Sequence, residues 1–451
     1  MEFLTAHIKT ILSTTFRLRN KMYSLRPRRT LKEAVRKVFL LTKRYSRDIK
    51  KLLILFLVQF CVILPFFYWN VPWSAYFKIR NRNANFDKLA TEQNFLRVNE
   101  AKEYFKSLDP KSSLRWYDNV LYNHDNDLDM VVAIITMSRK KKQKDLGYLL
   151  QSTWKMDKIV KDQERTSIFT FVCNVDKDPS NFEEANYLRS YLPYVERFGG
   201  SRPYVADVPI PDTNLTFRNY VSKDKSYIKE TIDYSFCLKV AKTRKSKYVL
   251  VLEDDAVARD DFLLILDHIF KYRFQHNINM PWAALKLYYP EKLSGYAYDL
   301  DRLIELCSTG IVGSTIFTFL CYLILGLFKT FKKFNTYLFF TIGFIFTVCS
   351  CCAIGRQNIL EFRRFLPFTY QVLKPPKFGS VATLYHYSIL DDLSNSMYHD
   401  AFKQKMKADF ALANFIKNSK LPAYMIFPSL FRHIGHISSL PKPNEKAVEF
   451  I

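Results

Sequence analysis

The sequence predicts an α/β fold: a mostly parallel sheet with helices on both faces, interrupted by a transmembrane helical hairpin and preceded by one further transmembrane helix. Three observations carry this reading. Apolar β runs alternate with stretches of helical spacing from residue 130 onward, the pattern of a parallel sheet joined by helices. Two uncharged apolar runs of span length, 311–328 and 337–354, stand back to back inside that alternation. A third apolar run, 52–69, follows a basic amino-terminal tail.

Residues 1–51 carry fifteen Lys or Arg against Glu2, Glu33 and Asp48. Basic residues before a span hold that end in the cytosol, so 1–51 reads as a cytosolic tail and 52–69 as a signal anchor. The apolar run is too long, and lacks the small-residue cleavage site, for a removed signal peptide. Residues 70–128 read as a stem, helical in part near 95–108. Strands are predicted over 130–136 and 167–173, with helices at 146–154, 182–192 and 231–241. The run Tyr248-Val-Leu-Val-Leu252 then has the composition of a central strand covered on both faces, and a helix follows over 260–270. The hairpin occupies 306–355. Its connection, 329–336, holds three lysines and no acid, as a cytosolic turn should, so the chain returns to the lumen. Residues 129–305 and 356–451 are therefore two parts of one lumenal domain. The second part contains a glycine turn and strand at 377–385, a helix at 406–416 and a strand at 423–427.

The chain of 451 residues has a formal net charge of +25. About half of that charge lies in the tail, which directs it to a membrane flank and excludes nucleic acid as the partner. Eight cysteines match no zinc spacing. Cys173 and Cys237 are both lumenal on this topology and able to pair in an oxidising compartment, although the sequence fixes no connectivity. Cys307 and the Cys349, Cys351, Cys352 group lie near the lumenal membrane face, close enough to permit a disulfide. Asn214-Leu-Thr216 is a glycosylation acceptor in a Pro-rich stretch. Asp125, Asp127 and Asp129 resemble the start of a calcium loop, but Met130 stands where the turn glycine belongs and Thr136 where the closing glutamate does.

The chemistry concentrates at strand ends. Glu253, Asp254 and Asp255 directly follow the wholly apolar strand, at the carboxyl end where open α/β sheets bind ligands. Hard carboxylate oxygens suit Mg²⁺ or Mn²⁺, which neutralises a substrate phosphate. Other D-x-D matches, such as Asp127/Asp129, Asp176/Asp178 and Asp299/Asp301, lack such a strand. Thr136, Ser138 and Arg139 follow the first strand, and Asn174 and Asp176 the second. Arg139 suits a diphosphate and Asp176 a base or ribose edge. His433, after a strand and before Gly435, suits a metal or diphosphate contact; His436 is a weaker candidate. Neither G-x-G-x-x-G nor G-x-x-x-x-G-K-[ST] is present, so dinucleotide and P-loop chemistry are excluded.

The segments Val249-Leu-Val-Leu-Glu-Asp-Asp-Ala256, Phe378-Gly-Ser-Val-Ala-Thr-Leu-Tyr385 and Pro428-Ser-Leu-Phe-Arg-His-Ile-Gly435 resemble the nucleotide-sugar site of metal-dependent GT-A glycosyltransferases. The last is also similar to the Pro-Ser-Leu-x-x-His-x-Gly segment of the N-acetylglucosaminyltransferase IV group. One amino-terminal span plus a hairpin inside the transferase domain resembles the Golgi transferases that add an N-acetylgalactosamine side chain to GPI anchors. The resemblance implies a GT-A fold, a UDP-GalNAc donor, a GPI-glycan mannose as acceptor, inversion, Mn²⁺ and a multi-pass Golgi location. It implies Asp255 as direct metal ligand, with Glu253 and Asp254 completing the metal shell and ribose contacts. Thr136, Ser138, Arg139, Asp176 and His433 then face the donor nucleotide, and Gly379 and Ser380 the donor sugar. Two positions depart from the pattern: the acidic motif is Glu-Asp-Asp where Asp-x-Asp is usual, and Arg432 replaces the usual residue before the histidine. Inverting displacement needs a base. Asp409, at a predicted helix start, is the first choice, with Asp391 and Asp392 in reserve. Two other readings stay open, a Golgi transferase acting on N-glycans or glycolipids, and a non-catalytic membrane-bound sugar-binding protein.

Overall fold

The structure is a computed structural model that describes residues 53–82, 86–123, 128–141, 144–198, 226–274, 281–327 and 336–435. The basic tail, Asn214, most of the connection between the two span-length runs, and His436 lie outside the described residues. Contacts divide the chain into two units, 1–69 and 70–451. In the first, Leu53–Tyr68 is an apolar helix with a π turn at Gln59–Ile63.

Among the described residues the strands are β1 (Leu128–Thr136), β2 (Lys140–Lys141), β3 (Lys144–Asp145), β4 (Ile168–Asn174), β5 (Tyr194–Glu196), β6 (Ser246–Glu253), β7 (Ala256–Ala258), β8 (Ala284–Lys286), β9 (Gln371–Leu373), β10 (Ala382–His386), β11 (Ala423–Phe427) and β12 (Phe431–His433). Eight form one sheet in the order β5-β4-β1-β6-β10-β8-β11-β9. The β5-β4-β1-β6 half is parallel, while β10 runs antiparallel to both β6 and β8. All seven residues of β4 are buried. Because successive side chains alternate between faces, that pattern means both faces of the strand are covered. The expected strands at 130–136 and 248–252 each fall inside an observed one, and that at 167–173 is offset by one residue from β4.

Register places the chemistry. Thr136 pairs with Asn174, and Ile135 with Glu253, so the carboxyl ends of β1, β4 and β6 are level. Ala382 pairs with Leu252, and Glu253 N donates to Val381 O at 2.9 Å. The antiparallel direction of β10 therefore brings the residues that precede it, Gly379 and Ser380, to the same end of the sheet.

Several helices extend beyond their predicted limits. The helix expected at 146–154 runs Tyr148–Asp162, and that at 231–241 runs Ser226–Lys242. The segment expected to be a stem holds, after the short helix Ala75–Arg80, two longer helices, Phe86–Ser107 and Pro110–Asn123. Ala101, Phe105, Tyr117 and Val120 from these helices are buried in the same core as the sheet, and the Tyr104 and Tyr117 hydroxyls donate to the buried Asp157 at 2.8 and 2.6 Å. This segment is part of the domain wall, of which only the stretch near 95–108 was expected to be helical.

Cys173 and Cys237 form a disulfide that ties β4 to helix Ser226–Lys242. Cys307, Cys349, Cys351 and Cys352 are free, which corrects the disulfide suggested for that group.

Two helices, Leu300–Leu327 and Thr336–Ile354, pack against each other as an antiparallel pair. Gly310 faces Phe344 and Val348, Gly343 faces Phe317, and Ser314 Oγ donates to Phe340 O. Small residues at such contacts let backbones approach closely. Both are long and apolar enough to cross a membrane. The first begins well before the expected residue 311, because Asp301, Arg302 and Glu305 continue its first turns as polar helix.

Candidate active site

The site is built on the acidic turn after β6. Asp254 and Asp255 are buried, and each is fixed by a different element. Thr136 Oγ1, the last residue of β1, donates to Asp254 Oδ2 at 2.9 Å. Arg139 lies across both carboxylates: Nη2 is 2.7 Å from Asp254 Oδ1 and Nη1 donates to Asp255 Oδ2. His433 Nε2 approaches the same Asp255 oxygen at 3.1 Å.

His433 arrives there by backbone pairing. β12 pairs antiparallel with β7, His433 opposite Ala256, and Ile434 N donates to Asp255 O at 2.9 Å. Ahead of it, Ser429 Oγ accepts from Tyr289 N at 2.9 Å. The Pro-Ser-Leu segment thus fixes the chain that delivers the histidine. Gly435 lies directly on the acidic turn, so close that a Cβ there would overlap Asp255 Oδ2 and stand 2.7 Å from Asp255 Cγ. Gly435 stood within the recognised segment, but a sequence shows only that the residue is small, not what it touches.

Glu253 is engaged differently. Its Oε1 accepts from Ser380 Oγ at 2.8 Å, which links the acidic turn to the loop before β10. Gly379 in that loop has φ +88° and faces open space, so the loop presents bare backbone at the sheet end. The buried Lys286 of β8 holds the loop from beneath, donating to Phe378 O at 2.8 Å and Pro376 O at 3.0 Å. Sequence reading missed Lys286; a lysine inside an otherwise apolar Ala-Ala-Leu-Lys-Leu run was the available signal. Burial pushes its ammonium down to about 8, against the opposing pull of Asp409.

The three acids sit in opposed electrostatic states. Burial, then Asp255, Glu230 and Asp409, push Glu253 above the usual carboxylate range. Burial raises Asp254 too, against the lowering by Arg139. Burial acts likewise on Asp255, but Arg139 and His433 outweigh it and hold Asp255 well below its ordinary value. Asp255 is therefore the fixed anion of the set.

The remaining expected residues divide. Ser138 N donates to Asp176 Oδ2 and Ser138 Oγ to Asp145 Oδ1, both at 2.9 Å. Asp176 N in turn donates to Asn174 Oδ1 at 2.9 Å. These residues form the β1/β4 side of the same end of the sheet. Asp409 is in the first turn of helix Ala408–Ser419, within electrostatic reach of Glu253, Lys286 and Tyr385, and its Oδ1 is buried without a hydrogen-bond partner. Asp391 and Asp392 lie elsewhere. They follow His386, which pairs with Tyr248 near the start of β6, and Asp391 is bound by Lys239 and Lys242. They belong to the opposite end of the sheet and cannot serve as the base. Asn214 lies outside the described residues.

Thr136, Ser138, Arg139, Asp176, Glu253, Asp254, Asp255, Gly379, Ser380 and His433 thus converge on one sheet end. A sequence model described as GPI-N-acetylgalactosamine transferase PGAP4 matches residues 130–432, more than half of the chain and every strand of the main sheet except the first two residues of β1. The chain belongs to this family of GPI-N-acetylgalactosamine transferases, and is a glycosyltransferase whose acceptor is a GPI glycan.

Proposed function

We propose that the chain transfers N-acetylgalactosamine from UDP-GalNAc to a mannose hydroxyl of the GPI glycan, with inversion at the anomeric carbon, on the lumenal side of a Golgi membrane. The observation that supports this best is the Asp254–Asp255 pair, gripped by Arg139 and His433 at the same sheet end as the open Gly379 loop.

A divalent ion such as Mn²⁺ fits these residues. Asp255 Oδ1 is a buried carboxylate oxygen with no hydrogen-bond donor, and Asp254 Oδ1 has only its ion pair with Arg139. Among the described residues no three His, Cys, Asp or Glu side chains gather to enclose an ion. Small hard cations are also held by one or two carboxylates plus substrate phosphates. Asp255, with Asp254 beside it, would hold the ion, and the bound ion would neutralise charge on the departing diphosphate. Glu253, bonded to Ser380, would shape the donor-sugar loop.

In the proposed step Asp409 takes the proton of the acceptor hydroxyl. The hydroxyl oxygen bonds to the anomeric carbon from the face opposite the diphosphate, whose bond to that carbon breaks with its electron pair leaving on UDP. Arg139 provides a guanidinium beside the leaving group.

Two further observations support the location. The Cys173–Cys237 disulfide suits an oxidising lumen. The helices Leu300–Leu327 and Thr336–Ile354 keep most of their apolar surface outside the protein, as helices in lipid would. The test is mass spectrometry of GPI glycans from cells lacking this chain, complemented with wild type or Asp255→Ala, alongside a panel of UDP-sugars offered to the full chain in detergent with Mn²⁺ or chelator. The GalNAc branch should return only with wild type, and UDP-GalNAc with Mn²⁺ should be the donor pair turned over. Full restoration by Asp255→Ala would remove the site from consideration.

A further inference from the structure

The segment that leaves helix Thr336–Ile354 holds several large apolar side chains in the open. After Gly355 the short helix Arg356–Glu361 leads into two 3₁₀ turns, Phe362–Phe365 and Pro367–Thr369. Phe362 is 57% exposed, Phe365 76%, Leu366 48% and Phe368 60%. This is no frayed loop. Thr369 Oγ1 donates to Leu366 O at 2.6 Å and also to Arg363 O, Arg273 Nη2 donates to Phe368 O at 3.2 Å, and Arg364 Nη1 donates to Ser429 O at 2.6 Å. The fold thus spends hydrogen bonds on presenting four neighbouring apolar side chains outward, which is costly in water and marks a contact surface.

Position identifies what covers it. Arg356 Nη2 is 2.7 Å from Glu305 Oε2, so the two span-length helices end at a common level on the catalytic side. Only the six residues Arg356–Glu361 separate that level from Phe362, about 9 Å along a helix. Phe362, the first residue of the patch, therefore lies no farther from the ends of the helix pair than the thickness of a headgroup layer, roughly 5–10 Å.

We infer that the turn 362–368 is a second membrane contact, an interfacial foot that inserts Phe362, Phe365, Leu366 and Phe368 into the leaflet on the catalytic side. This inference rests on the reading of the helix pair as membrane spans. The foot also reaches the active site. Arg364, within the foot, bonds to Ser429, and Ser429 begins the segment that sets His433 against Asp255. Seating the foot fixes the height and tilt of the acidic turn above the lipid, where a lipid-linked acceptor presents its glycan.

The test uses the full chain in lipid vesicles with p-benzoylphenylalanine in place of Phe365, of Ile345 in helix Thr336–Ile354, or of the exposed Phe95 on helix Phe86–Ser107. On illumination, positions 345 and 365 should form lipid adducts and position 95 should not. Lipid adducts at 345 without any at 365, or adducts from 365 to a second copy of the chain, would overturn the foot alone. No lipid adduct at 345 would overturn the membrane reading itself, and the foot with it. As a functional check, Phe362→Ser with Phe365→Ser and Phe368→Ser should lower transfer to membrane-embedded GPI at least fivefold while leaving turnover on a detergent-soluble acceptor within twofold of wild type. Equal losses on both acceptors would refute a role confined to membrane seating.

Discussion

Gly435→Ala provides a direct test of the acidic turn, because the perturbation is a single methyl group aimed at a single carboxylate. A Cβ at position 435 would overlap Asp255 Oδ2 and stand 2.7 Å from Asp255 Cγ and 3.0 Å from Asp255 Cβ. Cβ atoms essentially never approach another heavy atom within 3.0 Å, so something must move. Ile434 N is bonded to Asp255 O, and β12 is paired with β7, so the backbones on both sides of the contact are tied together and resist separation. The carboxylate must swing by on the order of 1 Å, breaking its contact with Arg139 or His433. A displacement of that size at a reacting group costs roughly 10²-fold in rate. The assay is transfer to GPI in membranes, with protein level and retention of the Cys173–Cys237 disulfide as controls for folding. Activity within about threefold of wild type would refute both the role of Asp255 and the claim that Gly435 is there to make room for it.

Other perturbations separate the remaining roles. Asp409→Asn should lower kcat by about 10²–10⁴-fold, the range expected for loss of a general base, with little change in donor KM; normal turnover would place the base elsewhere. Cys173→Ser with Cys237→Ser should lower stability by about 2–4 kcal/mol, read as a fall in Tm, and an unchanged Tm would show that the bridge constrains nothing that unfolding releases. Glu184 caps helix Tyr148–Asp162 by accepting from Gly147 N and Leu150 N. Burial pushes its carboxyl from 4.5 to about 8, against the opposing Gly147 bond. Since the folded form binds this proton more tightly than the unfolded chain, its contribution to stability is greatest below about pH 4.5 and is lost as pH rises to about 8. Glu184→Gln should flatten that slope and raise Tm at pH 8; an identical slope in the variant would show that other groups set it.

What the sequence revealed follows from what a pattern can carry. Strands β1, β4 and β6 were legible because uninterrupted runs such as Tyr248 to Leu252 have few other uses, and the acidic turn was legible because it ends one of them. The partners of those acids were harder. His433 and Asp255 are 178 residues apart, and only the β12–β7 pairing brings them together. Arg139 was read as a diphosphate ligand; its grip on both aspartates depends on β1 and β6 being neighbours in register. Thr136 was assigned to the nucleotide on similar grounds, yet in the structure its hydroxyl holds Asp254. Lys286 and Gly435 act by what they touch, a loop carbonyl and a carboxylate, and no periodicity records a contact. The helices of 86–123 were legible only in part, near 95–108: the first has little amphipathic character, so packing against the domain, more than its own pattern, defines its extent.

Sheet direction also accounts for where the helix pair is inserted. β8 runs parallel to β6, as its common antiparallel pairing with β10 requires, so the chain leaves β8 after Lys286 at the acidic end of the sheet. β10 runs the other way, so the chain must re-enter it at that same end, through Gly379 and Ser380. Any connection from β8 to β10 therefore begins and finishes beside the active site, and a long insertion there hangs from the catalytic edge. A connection between parallel neighbours such as β1 and β4 instead begins at one end of the sheet and finishes at the other. Two helices are also the smallest insertion that crosses a bilayer and brings the chain back to the side it left. On the membrane reading proposed above, the antiparallel β10 is what allows one fold to keep its acidic turn at the lipid surface. The ties at the root agree with this: Arg302 on the first helix bonds to Tyr289 Oη at 3.0 Å, and Tyr289 N bonds to Ser429, four residues before His433. Arg302→Ala should accordingly reduce transfer to membrane-embedded GPI more than transfer to a soluble acceptor glycan. Equal losses on the two acceptors would show that the helix root supports the fold without orienting the site.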